Sequence, residues 1–216
     1  MAFEDFNSYT EVDPNSRYTI SGDGEKITVT ALQKGEDSYI YDDKGVDFFD
    51  GDFEHLVEFS GTYIDTDARC VVHSLSTSLG PFRDGSVYLA DTFAIDISAA
   101  SSSFMRIIIY EVDGASVYVD NWNGASWGTP YYGTFYRDPG VGTYGTLYLE
   151  IYSDSLKTTL VYTLSITLHS SIKKMRYSYG TQSWGDAGTQ AISGYTNQLD
   201  LQLTSPAIFR RRIEGY

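Results

Sequence analysis

Tyr131-Tyr-Gly-Thr-Phe-Tyr-Arg137, Asp138-Pro-Gly-Val-Gly-Thr-Tyr-Gly145 and Thr146-Leu-Tyr-Leu-Glu-Ile-Tyr-Ser153 follow one another without a break. In the last stretch Leu147, Leu149 and Ile151 alternate with Thr146, Tyr148, Glu150 and Tyr152. A period of two puts the first set on one side of an extended chain and the second on the other, as in a strand with one face in a core. The middle stretch is turn chemistry: Pro fixes φ, glycines supply positive φ, and Asp tolerates it. The three together predict an antiparallel hairpin.

The same reading extends in both directions. Phe53, Val57 and Phe59 share a face opposite Glu54 and Glu58; Phe93, Ile95 and Ile97 do so against Ala94 and Asp96; Leu199, Leu201 and Leu203 alternate with Gln198, Asp200 and Gln202. Gly22-Asp-Gly24 links Arg17–Ser21 to Lys26–Ala31, and Asp113-Gly-Ala-Ser116 links Phe104–Val112 to Val117–Asn121. About 12–14 strands at a spacing of roughly 8–15 residues predict an all-β fold, an antiparallel two-sheet β-sandwich of the jelly-roll kind. Helical signal is confined to Ser153–Lys157 and Ser170–Lys174, about one turn each. With no internal repeat and no linker, residues 13–204 are expected as one domain. Residues 1–12 then form an N-terminal arm and residues 205–216 a basic C-terminal tail.

A chain of 216 residues, 42% apolar and 20% charged, has enough material for a core without metal or disulfide support. The net charge of −14 repels phosphate backbones, and no basic patch interleaves with aromatics, so nucleic acid is not an expected partner. Cys70 is the only cysteine and reads as a buried structural residue. No apolar run reaches the length of a membrane span. Met1-Ala-Phe-Glu-Asp-Phe6 lacks the positive region and apolar core of a signal peptide, so a chain made in the cytoplasm and used soluble is the expectation, with an extracellular destination as the alternative.

Several catalytic patterns are missing. Glycosidic hydrolysis on a sandwich needs two carboxyl groups about 5–5.5 Å apart for retention or about 6.5–9.5 Å for inversion. A strand delivers them as Glu-x-Asp-x-x-Glu, but Glu111-Val-Asp113 is followed by Ser116 where the third acid belongs. Glu54 and Glu58 share a face about 13 Å apart, too far for a pair on one strand. His55, His73 and His169 are scattered and have no ligand-spaced cysteine, which excludes a zinc pattern. Neither Gly-x-Ser-x-Gly nor a phosphate-binding glycine loop occurs. The expectation is a protein that is not an enzyme and has no catalytic residues, with a carboxylate pair gathered from different strands as the alternative.

Three stretches suit recognition. Asp120, Asn121, Trp122, Asn123, Trp127 and Tyr131 supply aromatic and amide or carboxylate groups for a glycan on a Gly-bearing loop. The plainer alternative is that one Trp plugs the end of the sandwich. Asp42, Asp43, Asp47, Asp50 and Asp52 could give oxygens to Ca2+, although the spacing is not that of an EF-hand and the alternative is a solvated turn; no cofactor is otherwise required. Phe209, Arg210, Arg211, Arg212 and Tyr216 form a basic, apolar tip suited to docking on a second subunit or a scaffold.

The succession Tyr39-Ile-Tyr-Asp-Asp-Lys-Gly45, Phe49-Asp-Gly-Asp-Phe-Glu-His55, Tyr136-Arg-Asp-Pro-Gly-Val-Gly-Thr-Tyr-Gly-Thr-Leu-Tyr148, Ile151-Tyr-Ser-Asp154 and Ile192-Ser-Gly-Tyr195 with Leu199-Asp-Leu201 resembles concanavalin A-like lectin/glucanase jelly-roll domains. The likeness is strongest to versions found in tailed-phage and environmental viral proteins, and it covers roughly residues 3–203. It implies a non-enzymatic structural or decoration subunit on a virion surface, with other virion proteins as partners and affinity for surface glycans. A free lectin or adhesin is the first alternative and a polysaccharide-cleaving glycoside hydrolase the second. A homo-oligomer is compatible with each, and the legume-type metal ligands do not map onto this sequence.

Overall fold

The computed structural model describes residues 3–46, 48–49, 52–171 and 174–203. A single 3-10 turn, Phe6–Ser8, precedes β1 (Thr10–Val12), β2 (Tyr18–Ile20), β3 (Lys26–Gln33), β4 (Tyr39–Asp43), β5 (Phe53–Thr62) and β6 (Arg69–Ser76). Then come β7 (Arg83–Asp84), β8 (Val87–Tyr88), β9 (Thr92–Ala99), β10 (Met105–Asp113) and β11 (Ser116–Ala125). The chain continues through β12 (Tyr131–Asp138), β13 (Thr146–Tyr152), β14 (Leu160–Thr167), β15 (Tyr177–Ser183) and β16 (Ala191–Leu203). The first sheet has the order β1-β4-β15-β6-β9-β10-β11, the second the order β14-β13-β12-β5-β16-β3-β2, and β7 pairs with β8 as a separate hairpin. All pairings are antiparallel, so the fold is the expected two-sheet sandwich.

Alternation builds the core between the sheets. Phe53, Val57 and Phe59 from β5 meet Phe93, Ile95 and Ile97 from β9, with Phe135, Leu147, Leu149 and Ile151 beside them, all buried. The expected hairpins form: Tyr132 pairs with Tyr152 and Asp138 with Thr146 across β12 and β13. Asp113 pairs with Ser116, which leaves Gly114 at φ +57° to turn the chain between β10 and β11. Cys70 is buried, and burial pushes its thiol up to about 12.

Two expectations differ from the structure, and a third is not tested by it. Residues 3–12 are not a detached arm: Phe6 is fully buried, and β1 pairs with β4 at the edge of the first sheet. Ser153–Lys157 makes no helical turn but a loop held by Asp154, which accepts hydrogen bonds from the backbone N–H groups of Thr158 (3.1 Å) and Thr159 (2.7 Å). The stretch Ser170–Lys174 lies partly outside the described residues.

The largest difference concerns the outer face of the first sheet. Ala94, Asp96, Ile108, Tyr110 and Val112 point away from the main core, yet all are buried. The segment from Thr77 to Asp91, which carries the β7–β8 hairpin, lies over them as a strap. Phe82 from the strap packs against Tyr110 and Trp184, with ring centroids 5.1 Å apart in each case. Backbone bonds from Phe82 to Ser183 and from Gly85 to Gly185 fasten it, as do bonds from the Gln182 side chain to the Gly80 carbonyl and from the Gly80 N–H to the Tyr179 hydroxyl. No helix among the described residues is long and apolar enough to cross a membrane.

Candidate functional site

With one outer face covered, the outer face of the second sheet offers the larger set of accessible polar groups. Strand periodicity turns Glu54, Leu56 and Glu58 of β5 outward, opposite to Phe53, Val57 and Phe59. Register then fixes their neighbours: Glu58 stands beside Tyr132 on β12 and Asn197 on β16, and Glu54 beside Tyr136 and Gln202. One strand further, Tyr132 neighbours Tyr152, and Tyr136 neighbours Tyr148 with the rings stacked at 5.2 Å. A bulge between Asn197 and Asp200 brings Asp200 level with Leu56, diagonal to both Glu54 and Glu58.

The polar groups on this face are organised. Glu58 accepts hydrogen bonds from the Tyr195 hydroxyl (2.8 Å) and the Asn197 amide (3.0 Å), one on each carboxylate oxygen. Glu150 accepts from Tyr136 (3.1 Å) and Tyr152 (2.6 Å) in the same way. Asp200, nearly buried, accepts from Gln202 at 2.8 Å. Burial, and then the carboxylate of Glu58 as hydrogen-bond acceptor, hold the Tyr195 phenol well above the ordinary tyrosine range. Burial raises Tyr132 as well, with Glu58 adding to it. Both phenols therefore stay protonated at neutral pH. A cavity of about 330 Å³ opens beside Glu58, lined by Phe3, Leu56, Tyr132, Leu156, Lys157 and Gln198. It combines apolar walls with a few fixed polar groups, the composition of a small-molecule or sugar-ring site.

The residues expected to bind glycan fall elsewhere. Asp120–Ala125 is not a loop but the second half of β11, so its side chains alternate between faces. Asn121 and Asn123 are exposed on the outer side, and Asn123 accepts from Arg106 at 2.6 Å. Trp122 turns inward, stacked on Tyr162 of β14 (5.4 Å, 8°) and edge-on to Tyr131 (5.8 Å, 89°). Asp120 accepts from the backbone N–H of Ser165 on β14 at 2.9 Å. Trp127 donates to the Ser101 carbonyl at 3.1 Å, and Tyr131 is 5% exposed. This set closes the side of the sandwich between β11 and β14, and the two indoles do not form one platform.

The aspartates expected to hold calcium are spread over separate cations. Asp42 pairs with Lys44 (2.7 Å), Asp43 with Arg176 (2.5 Å) and Asp52 with Arg137 (2.6 Å). Asp47 and Asp50 lie outside the described residues, as do Phe209, Arg210, Arg211, Arg212 and Tyr216 of the basic tail. Among the described residues no group of three or more His, Cys, Asp and Glu side chains could hold a metal ion. Glu111, from the interrupted acid pattern, is fully buried and accepts from the backbone N–H of His169 at 3.0 Å.

No family model matches the sequence. No curated protein matches it either. Solved structures do match. A legume lectin-like domain from Entamoeba histolytica superposes with a TM-score of 0.60 at 11% identity, over 92% of this chain and 91% of that one. The alginate lyase Aly36B gives 0.55 at 17% identity, over 92% and 88%. Tailspike protein 2 of the Escherichia coli O157:H7 bacteriophage CAB120 gives 0.53 at 10% identity, over 99% of this chain but 29% of that one.

These neighbours correct the expectation that the chain is not an enzyme. The same fold is that of an alginate lyase, so the missing Glu-x-Asp-x-x-Glu pattern on β10 does not remove catalysis from it. A motif on one strand reports only that strand, whereas the outer face of the second sheet assembles its groups from β5, β12, β13 and β16. The neighbours agree with the topology on the architecture: this chain has the concanavalin A-like lectin/glucanase jelly-roll fold.

Proposed function

We propose that the chain is a carbohydrate-active protein that lays a polysaccharide across the outer face of the second sheet and cleaves it there. The observation that carries this reading is the Glu58–Tyr195 hydrogen bond of 2.8 Å at the edge of the cavity, within a strip of tyrosines and carboxylates. Tyrosine rings give sugars an apolar surface, and the carboxylates and amides orient hydroxyl groups. A phenol kept protonated and bonded to a carboxylate is an acid–base pair: Glu58 takes a proton and Tyr195 supplies one to the departing glycosidic oxygen. The hydrogen bond between them lets the proton return and resets the pair. The lectin-like and lyase neighbours support a carbohydrate role on this fold. The tailspike likeness supports a virion surface as the setting, which copurification of the chain with particles would test.

The test is cleavage of a panel of neutral, amine-bearing and uronate polysaccharides, followed by reducing-end release and by the ultraviolet absorbance of unsaturated ends. Glu58→Gln and Tyr195→Phe are each expected to lower the rate about 100-fold or more, the usual contribution of a positioned acid or base, with melting temperatures near that of the parent. Trp122→Ala, which alters the β11–β14 closure, keeps cleavage and binding per folded molecule. A parent protein that neither binds nor cleaves any polymer overturns the reading. Loss of binding in Trp122→Ala with the fold intact moves the site to β11.

A further inference from the structure

The arginines of this chain leave one guanidinium over. Five of the six among the described residues, Arg17, Arg69, Arg83, Arg137 and Arg176, meet a carboxylate at 2.9 Å or less. The sixth, Arg106 on β10, has no carboxylate partner among the described residues, although the sequence holds 29 acidic residues against 15 basic ones. Its Nε donates to the side-chain carbonyl of Asn123 at 2.6 Å, a neutral partner that fixes the guanidinium without meeting its charge. Register supplies a second guanidinium. Ser98 on β9 stands opposite Arg106 on one side and opposite Arg69 of β6 on the other, so the three share the outer face of the first sheet. The two arginines are two strand spacings, about 10 Å, apart along the backbone row.

This row lines a cavity of about 220 Å³, together with Thr66 and Asp67. Arg69 is held from behind. Its Nε and Nη2 donate to Asp96 Oδ2 at 3.1 and 2.7 Å, Nη2 also donates to the Tyr110 hydroxyl, and the guanidinium lies 3.6 Å from the centroid of the Trp184 ring. Ser98 is 5% exposed, yet its hydroxyl has no hydrogen-bond partner among the described residues and it lines the cavity. A nearly buried hydroxyl without a partner, set between two guanidinium groups, points to an acceptor that comes from outside the chain. The nearby acids are accounted for. Asp96 is taken by Arg69, Asp67 accepts from the Lys34 ammonium at 2.6 Å, and Asp65, outside the lining, accepts from the Ala191 N–H at 2.9 Å. The lining itself carries two positive charges and one negative, and Lys34 meets the negative one.

We propose that this cavity binds a small carboxylate whose body carries hydroxyl groups, at a site separate from the face of β5 and β16. The carboxylate lies between Arg106 and Arg69, whose N–H groups suit its two oxygens, and the Ser98 hydroxyl donates to it. Asp67, only an acceptor when ionised, takes a hydroxyl of the ligand body. The volume falls below the roughly 300–1,000 Å³ of sites for drug-sized ligands, so the cavity takes one small acid rather than a run of polymer. A doubly charged oxyanion fits less well, because Asp67 stands in the lining and Arg106 is the guanidinium whose charge is still unmet.

The experiment is isothermal titration calorimetry of the full chain at low salt with three probes. These are gluconate, glucitol (the same hydroxylated body without a carboxylate) and inorganic sulfate. Gluconate is expected to bind saturably and at least about tenfold more tightly than either of the others, and to weaken at about 150 mM NaCl as screening grows. Arg106→Gln, at a partly exposed position with no ion pair to lose, is expected to lower gluconate affinity about tenfold, the worth of one charge-assisted hydrogen bond, with the melting temperature of the parent. Ser98→Ala is expected to lower it about threefold. The proposal is overturned if gluconate does not bind, if glucitol binds as well, if sulfate binds at least as tightly, or if Arg106→Gln binds gluconate like the parent. None of these results bears on cleavage at the face of β5 and β16.

Discussion

His55 and His73 stand on β5 and β6, one in each sheet, and meet in the core with Nδ1 of the first 2.9 Å from Nε2 of the second. Nδ1 of His73 lies 2.8 Å from the Tyr179 carbonyl, which can only accept, so that nitrogen carries the proton. Its Nε2 is then an acceptor and His55 Nδ1 the donor, which leaves His55 Nε2 buried without a partner. Both rings are therefore neutral in the folded state. Burial pushes His73 down to about 4, and burial together with the His73 neighbour pushes His55 well below the ordinary range. In the unfolded chain both bind protons near pH 6.5. The stability they support is complete above pH 6.5 and is lost as pH falls toward 4; for His73 alone it amounts to roughly 3 kcal/mol. Asp96 acts in the other direction, since burial raises it to about 6 against the pull of Arg69, and its cost is relieved as pH falls below 6. The double variant His55→Phe and His73→Leu is expected to lose less stability between pH 6.5 and 4 than the parent, measured by urea midpoints. An equally steep loss in both proteins would show that the pair does not set the acid response.

At the scale of elements, the strap is the part that is fastened most locally. Phe82 is fully buried and fills the space between Tyr110, Trp184 and Tyr88. Gly185 permits the approach: its φ is +80°, and a Cβ there would overlap the Arg83 carbonyl. Phe82→Ala is expected to cost about 3–5 kcal/mol if the strap unfolds with the body of the protein. It would then lower the melting temperature and quench the Trp184 packing signal together. If amide exchange rises only from Thr77 to Asp91 and the melting temperature holds, the strap opens as a separate unit. Strand pattern could not foresee this cover. Ala94 and Asp96 read as the solvent side of β9 because period two reports only that two faces exist, not what lies on each. The hairpins at Asp113–Ser116 and Asp138–Gly145 were legible because turn chemistry is local. The Glu58–Tyr195 pair was not, because its partners are 137 residues apart and depend on a register between β5 and β16 that no single strand encodes. A signal did exist in part, since Glu58 stands on a strand with clean alternation, whereas Tyr195 lies on a strand bulged on either side of it.

Across the whole molecule, the net charge of −14 sets a long-range repulsion that local pairs do not remove. Most of the ion pairs bind at least one well-buried or half-buried group, as in Arg137–Asp52 and Lys34–Asp67, where the cations are 7% and 11% exposed. Salt screens such pairs weakly, but it screens exposed charges strongly once their separation exceeds the Debye length, about 30 Å at 0.01 M and about 10 Å at 0.1 M. Raising NaCl from 10 to 150 mM at pH 7 therefore relieves more repulsion than attraction, and the melting temperature is expected to rise by a few degrees, roughly 1 kcal/mol of stability for a chain of this size. Near pH 4.4, the isoelectric point of the sequence, net repulsion vanishes and the same salt step should leave the melting temperature flat or slightly lower. Thermal scans at the two pH values decide the matter. A fall in melting temperature with salt at pH 7 would mean that the ion pairs outweigh the net field, and the field could then no longer be credited with repelling phosphate backbones from the molecule.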